Sequence, residues 1–132
     1  MIHVCSLARL HDTVTELGAS HIVTLLRLID RVQRPSSVTE ANHLILGMDD
    51  IATPMDGYVH PAEEHVHDLI TFVQRWDRRA PLVIHCYAGI SRSTAGAFIS
   101  MVVPMIVFFW LASGELTAGR TMMVPPDRPL PT

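Results

Sequence analysis

Short apolar runs alternate with segments of helical period along this chain. Ile2–Leu7 and Ser20–Leu26 are rich in β-formers and predict strands. Between them, Ala8–Leu17 has a helical pattern, stopped by Gly18. Leu28–Ser37 is polar enough to be a connection, and His43–Met48 predicts a short strand ending in Asp49-Asp50. Ile51–His60 holds Pro54 and Gly57 and predicts a loop. Pro61 then opens a helix: Glu63 and Glu64 suit its positive end, Arg75, Arg78 and Arg79 its far end. Ala62, Val66, Leu69, Ile70, Val73 and Trp76 fall on one apolar stripe of that helix. Leu82-Val83-Ile84 reads as a fully buried strand, and a further helix is expected from about Arg92.

Strands separated by helices predict an α/β fold, a mainly parallel central sheet flanked by helices. Ligands of such sheets sit beyond the carboxyl ends of the strands. Asp49-Asp50 and Cys86 both stand at such ends. The chain of 132 residues is long enough for one domain with a real core. Its net charge of −3 argues against a nucleic-acid partner and against attachment to anionic lipid through a basic surface. All ten basic residues are arginine, which we read as coding bias. The two cysteines, Cys5 and Cys86, form neither a CxxC pair nor a disulfide framework. With no signal-peptide pattern at the start, this predicts a cytoplasmic setting in which a lone thiol survives. Cys5 lies in an apolar run and reads as a core residue, although its spacing leaves a transient bridge to Cys86 open.

The densest chemistry is IHCYAGISRSTA, residues 84–95. A loop leaving a strand and entering a helix directs several backbone N–H groups at one point, where the helix N-terminus adds positive potential. That geometry suits phosphate. Gly89 permits the turn, and the fork of Arg92 can hold two phosphate oxygens. The same donors favour the thiolate of Cys86, a nucleophile placed under a bound phosphorus. His85 is expected to orient the loop, Ser93 to hydrogen-bond the sulfur, and Tyr87, Ala88, Gly89, Ile90, Ser91 and Arg92 to surround the phosphoryl group.

His85-Cys86-x-x-Gly89-x-x-Arg92-Ser93 resembles the HCxxGxxR(S/T) signature of cysteine-dependent protein tyrosine phosphatases. The short chain is most similar to the dual-specificity-type subgroup, and Ile2 to about Ser100 resembles small bacterial members. The resemblance implies hydrolysis of a phosphorylated protein or small phosphomonoester through a phosphocysteine intermediate, with no metal and no cofactor. It also implies an aspartate that protonates the leaving oxygen. Asp50 holds the family's position after the preceding strand and is the preferred candidate; Asp49 is an alternative, and Asp56 reads as a turn residue before Gly57. His60, Glu63, Glu64, His65, His67 and Asp68 are crowded enough to suggest metal. They lack an HExxH pattern, and a solvated helix start explains them better.

Residues 1–103 are therefore expected to form the phosphatase-like domain, and 104–132 an atypical tail. No residue from Thr94 to Gly114 is charged, and the end, TMMVPPDRPLPT, is Pro-rich. Three readings compete. One is a buried helix running into Pro104, with a disordered tail beyond. Another is a membrane segment over residues 95–112, against which the interrupting Pro104 counts. The third, which best explains why composition and resemblance break together, is a change of reading frame near Ser100. An altered ending makes a phosphate-binding pseudophosphatase without turnover the rival function.

Overall fold

The computed structural model describes residues 1–27, 32–49, 55–59 and 61–112. In chain order it contains β1 (Ile2–Ser6), α1 (Leu10–Leu17), β2 (His21–Leu25), β3 (His43–Leu46), α2 (Glu63–Arg75), β4 (Leu82–Cys86) and α3 (Arg92–Ala112). Among the described residues the strands form one sheet in the order β1-β4-β2-β3, every pair parallel. The α/β fold with helices on both faces is the one the hydrophobic pattern predicts.

Alternation along β4 explains the layers. All five of its residues are buried, as a strand covered on both faces requires. Leu82, Ile84 and Cys86 face a core completed by Val23, Leu25 and Leu46 of the sheet, Leu69 and Val73 of α2, and Ala97 of α3. Val83 faces the opposite core with Ile22, Val38 and the α1 residues Leu10 and Val14. Burying side chains of this size contributes about 1.5–3 kcal/mol each.

Several boundaries differ from expectation for local reasons. The first helical segment begins as a single 3-10 turn, Leu7–Arg9, before the α-helix, and Gly18 ends it in the left-handed conformation with φ 62°. Pro61 lies one residue before the N-cap of α2 instead of at the first helical position. The Ala62 amide is satisfied by the imidazole of His65, whose Nδ1 accepts from it at 2.9 Å. Glu63, Glu64, His67 and Asp68 point to solvent around this start. Among the described residues no three His, Cys, Asp or Glu side chains converge on a point; His60 lies outside them. Of the α2 stripe, Leu69 and Val73 are buried while Val66 is exposed, and the helix stops before Trp76, which closes the core as C-cap.

α3 runs through Pro104 to Ala112 instead of ending at the proline. Proline removes one i→i−4 hydrogen bond, and the apolar, helix-compatible residues on both sides carry the helix across the gap. Phe98, Met101, Met105 and Ile106 are exposed along it. Among the described residues no helix is long and apolar enough to cross a membrane. The expectations for the Pro-rich end concern residues outside the described ones.

α3 approaches the sheet closely at Gly96, where an added Cβ would stand 3.0 Å from Leu25 Cδ1 and 3.4 Å from Ile84 Cγ2. Gly96→Val is therefore expected to destabilise the protein by about 1–3 kcal/mol in denaturant titration, through overpacking. Val66→Ala, at an exposed position, should change stability by less than about 0.5 kcal/mol.

Candidate active site

β4 delivers Cys86 to the carboxyl edge of the sheet, and α3 begins six residues later. The intervening loop is tied to the residue that follows β1, since the Leu7 N–H donates to the Tyr87 carbonyl at 3.1 Å. Gly89 makes the return possible. Its φ is 73°, and a Cβ there would lie 2.6 Å from the Cys5 carbonyl carbon and 2.7 Å from the Ser6 nitrogen. The loop thus lies against the backbone at the end of β1, and the Gly89 N–H turns back to donate to Cys86 Sγ at 3.2 Å.

Ser93 Oγ stands 3.3 Å from the same sulfur. Burial alone would push the Cys86 thiol up. The Ser93 hydroxyl, and then the backbone N–H groups of Ser93, Gly89 and Ile90, act against burial and together hold the pKa below the ordinary thiol value. Cys86 is 2% exposed, so its access is through the loop mouth, where Tyr87, Ala88, Ile90 and Ser91 are exposed. Arg92, opening α3, donates from Nη1 to the Met48 carbonyl at 2.9 Å, while its Nε is buried with no hydrogen-bond partner. Beside it a cavity of about 510 Å³ runs between α2 and α3, lined by apolar side chains that include Leu46, Met48, Leu69 and Ile99.

His85, preceding the cysteine, is fully buried and faces the α1 side of the sheet. Its Nε2 lies 2.7 Å from Thr24 Oγ1 on β2. Thr24 Oγ1 also lies 2.7 Å from Nε2 of His43 on β3. Burial, then the neighbouring His43, lowers the His85 pKa to about 4, against a smaller raising contribution from the Cys86 backbone. By sequence, Thr24 and His43 have no role beyond their strands. A hydroxyl inside the apolar run HIVTLL was the available signal, but sequence did not show which strand faced it.

The aspartate candidates are placed unequally. Asp49 accepts at Oδ2 from the Val59 N–H at 2.7 Å and from Arg27 Nη1 at 3.2 Å. The same Arg27 nitrogen donates to the Gly57 carbonyl. Asp49 is thus part of a clamp holding residues 55–59 to the end of β3. Asp56 sits exposed in the turn closed by the Tyr58 N–H and the Met55 carbonyl, as its sequence predicts. Asp50 lies outside the described residues.

Cys5 and Cys86 are both free. Cys5 pairs in register with His85, and Ser6 with Cys86. The two thiols therefore point to opposite faces of the sheet, which forbids a bridge without breaking strand register.

Two measurements test this site. The rate of Cys86 alkylation against pH should have its midpoint below the value of about 8.5 for a free thiol, and Ser93→Ala should move it upward. His85 binds a proton near pH 6.5 when unfolded but only near pH 4 when folded. Between these values the unfolded state holds more protons, so stability falls as pH drops from about 6.5 to 4, by an amount on the order of 3 kcal/mol. Denaturant titrations should show a smaller loss over this window in His85→Gln.

Comparison with known proteins places this chain in a wider group. The crystal structure of Cydia pomonella PTP-2 phosphatase is similar over 87% of this chain and 67% of that one, with a TM-score of 0.57 at 16% identity, a likeness of fold. No curated protein matches the sequence. Residues 2–104 match the family described as "Tc-R-P: Polymorphic toxin system, DSP-PTPase phosphatase". On that match, which spans the sheet, the cysteine loop and the first half of α3, the chain belongs to the Tc-R-P family of DSP-PTPase phosphatases.

Proposed function

We propose that this protein hydrolyses phosphomonoesters through Cys86, with a phosphocysteine intermediate. One observation carries the reading: the Gly89 N–H and the Ser93 hydroxyl meet at one sulfur whose pKa is held low, at the mouth of the loop that Arg92 closes. The unpartnered Nε of Arg92 is a donor suited to a phosphoryl oxygen. The loop amides of residues 87–92 supply the remaining donors to the equatorial oxygens.

In the first step the thiolate attacks phosphorus in line with the leaving oxygen. The S–P bond forms as the P–O bond breaks, and Asp50 gives its proton to the departing oxygen. In the second, Asp50 takes a proton from water, water attacks phosphorus, and the S–P bond breaks to release inorganic phosphate. The Ser93 hydroxyl donates to the departing sulfur and stabilises it as thiolate. Asp49 is less suited to the acid's role, because its carboxylate is occupied by Arg27 and the Val59 amide. The apolar cavity beside Arg92 suits the organic part of a phosphomonoester. The family's description sets its members in polymorphic toxin systems, and a phosphorylated protein of a target cell is a substrate consistent with that setting.

The competing reading is a phosphate-binding pseudophosphatase. It draws on the apolar face of α3, where Phe98, Met101 and Met105 are exposed among the described residues.

Turnover of an aryl phosphate by the purified full chain separates the two. The catalytic reading expects turnover that Cys86→Ser abolishes. It also expects Asp50→Asn to lower kcat about 10²-fold or more and to remove the basic limb of the pH profile. Vanadate binding without turnover supports the pseudophosphatase.

A further inference from the structure

One peptide group, between Met48 and Asp49, is held from both sides just beyond β3. Its carbonyl oxygen accepts from Arg92 Nη1 at 2.9 Å, and its N–H donates to the Val59 carbonyl at 2.7 Å. No peptide bond among the described residues is cis, so this carbonyl and N–H lie in one plane and point opposite ways. An orientation imposed at the N–H is therefore passed rigidly to the carbonyl that receives Arg92.

The sheet does not fix this peptide. The last link between the β2 and β3 chains is the Leu26 N–H to the Leu46 carbonyl at 3.2 Å, and Gly47 and Met48 follow without a strand partner among the described residues. What holds the peptide on its N–H side is the clamp on Asp49. The Val59 N–H donates to Asp49 Oδ2 at 2.7 Å, so the two residues are paired through main chain and side chain together. Arg27, two residues past β2, donates from Nη1 to the same Oδ2 at 3.2 Å and to the Gly57 carbonyl. One guanidinium nitrogen thus joins both sides of the contact that orients the peptide. The side chains of Arg27 and Asp49 are 45% and 21% exposed. A pair so open to solvent adds little to stability, which leaves position as its effect.

We propose that Arg27 and Asp49 are positioning residues for Arg92: by holding Val59 against Asp49 they set the Met48 carbonyl, and that carbonyl fixes the guanidinium that receives the phosphoryl group. With Nη1 engaged by Met48, the direction of the other N–H groups of this planar fork follows from the one bond. The buried Nε, which has no protein partner, is among them. Neither Arg27 nor Asp49 touches substrate in this role. The inference rests on the reading of residues 86–92 as a phosphate site and extends the support of that site to the ends of β2 and β3. It does not depend on which aspartate serves as the acid.

The test is protection of Cys86 by inorganic phosphate against iodoacetamide in the full chain, which requires no turnover. Arg27→Met and Asp49→Ala should each raise the half-protecting phosphate concentration about fivefold or more. Charge alone predicts otherwise, since losing a cation weakens anion binding whereas losing an anion strengthens it. A shift in the same direction in both variants is therefore the mark of the clamp. The double variant should be no weaker than the weaker single one, because both act through one contact. Without phosphate, the pH midpoint of Cys86 alkylation should stay in place, as its donors on Gly89, Ile90 and Ser93 lie outside the clamp. With aryl phosphate, KM should rise by a similar factor while the basic limb of the pH profile persists. Should Asp49→Ala fail to fold, the ratio of Arg27→Met to wild type is read at high salt, where a through-space charge effect fades and a displaced Arg92 does not recover. The proposal is overturned if Asp49→Ala tightens phosphate protection or leaves it unchanged, if the two losses simply add, or if the Arg27→Met ratio vanishes in salt. Phosphate protection of a wild type that shows no turnover counts against the catalytic reading alone. A wild type that phosphate does not protect removes the phosphate-site reading, and this proposal with it.

Discussion

Everything at the carboxyl edge of this sheet depends on a buried sulfur that is met by hydrogen-bond donors. Removing a thiol from water favours its neutral form, and Cys86 is almost wholly removed. The Gly89 and Ile90 amides and both groups of Ser93 reverse that preference. They converge only because the chain turns sharply between β4 and α3, and the turn fits only because glycine lies against the β1 backbone. Strand order, loop conformation and thiol chemistry are consequently one constraint seen at three scales.

The sheet supports the loop from both of its faces. On the α2–α3 side, Leu82, Ile84 and Cys86 are packed by residues of both helices, with α3 brought close by Gly96. On the α1 side, the apolar core is interrupted by the Thr24–His85 contact, an expensive arrangement inside a protein unless each polar atom is matched. Placing polar groups there makes the orientation of His85, the residue before Cys86, depend on β2 and β3, far along the chain. The clamp of Arg27, Asp49 and the 55–59 turn works similarly beyond β3, since it ties the carboxyl end of that strand to the loop that follows.

Much of this could be read in the residues themselves. The fivefold run of buried positions in β4 was foreshadowed by Leu82-Val83-Ile84, and the start of α3 by the strand-loop-helix spacing around Arg92. Gly18 and Gly89 marked their turns because few other residues tolerate a positive φ. The differences are local. Trp76 follows the helical stripe but caps it, and α3 passes through Pro104, where one of the three readings of this stretch has the helix running into the proline.

The sequence by itself determined the parallel α/β class and the cysteine loop, because both are written in short-range patterns: hydrophobic period, turn residues and a strand-to-helix spacing. Tertiary structure decided which distant side chains meet. Only strand register shows that Cys5 and Cys86 face opposite ways, and only the order β4-β2-β3 brings His43 and His85 to one threonine. Likewise, only the fold shows that Asp49 pairs with Arg27. Contacts between residues far apart in the chain leave no periodic mark in it, so these follow from packing alone.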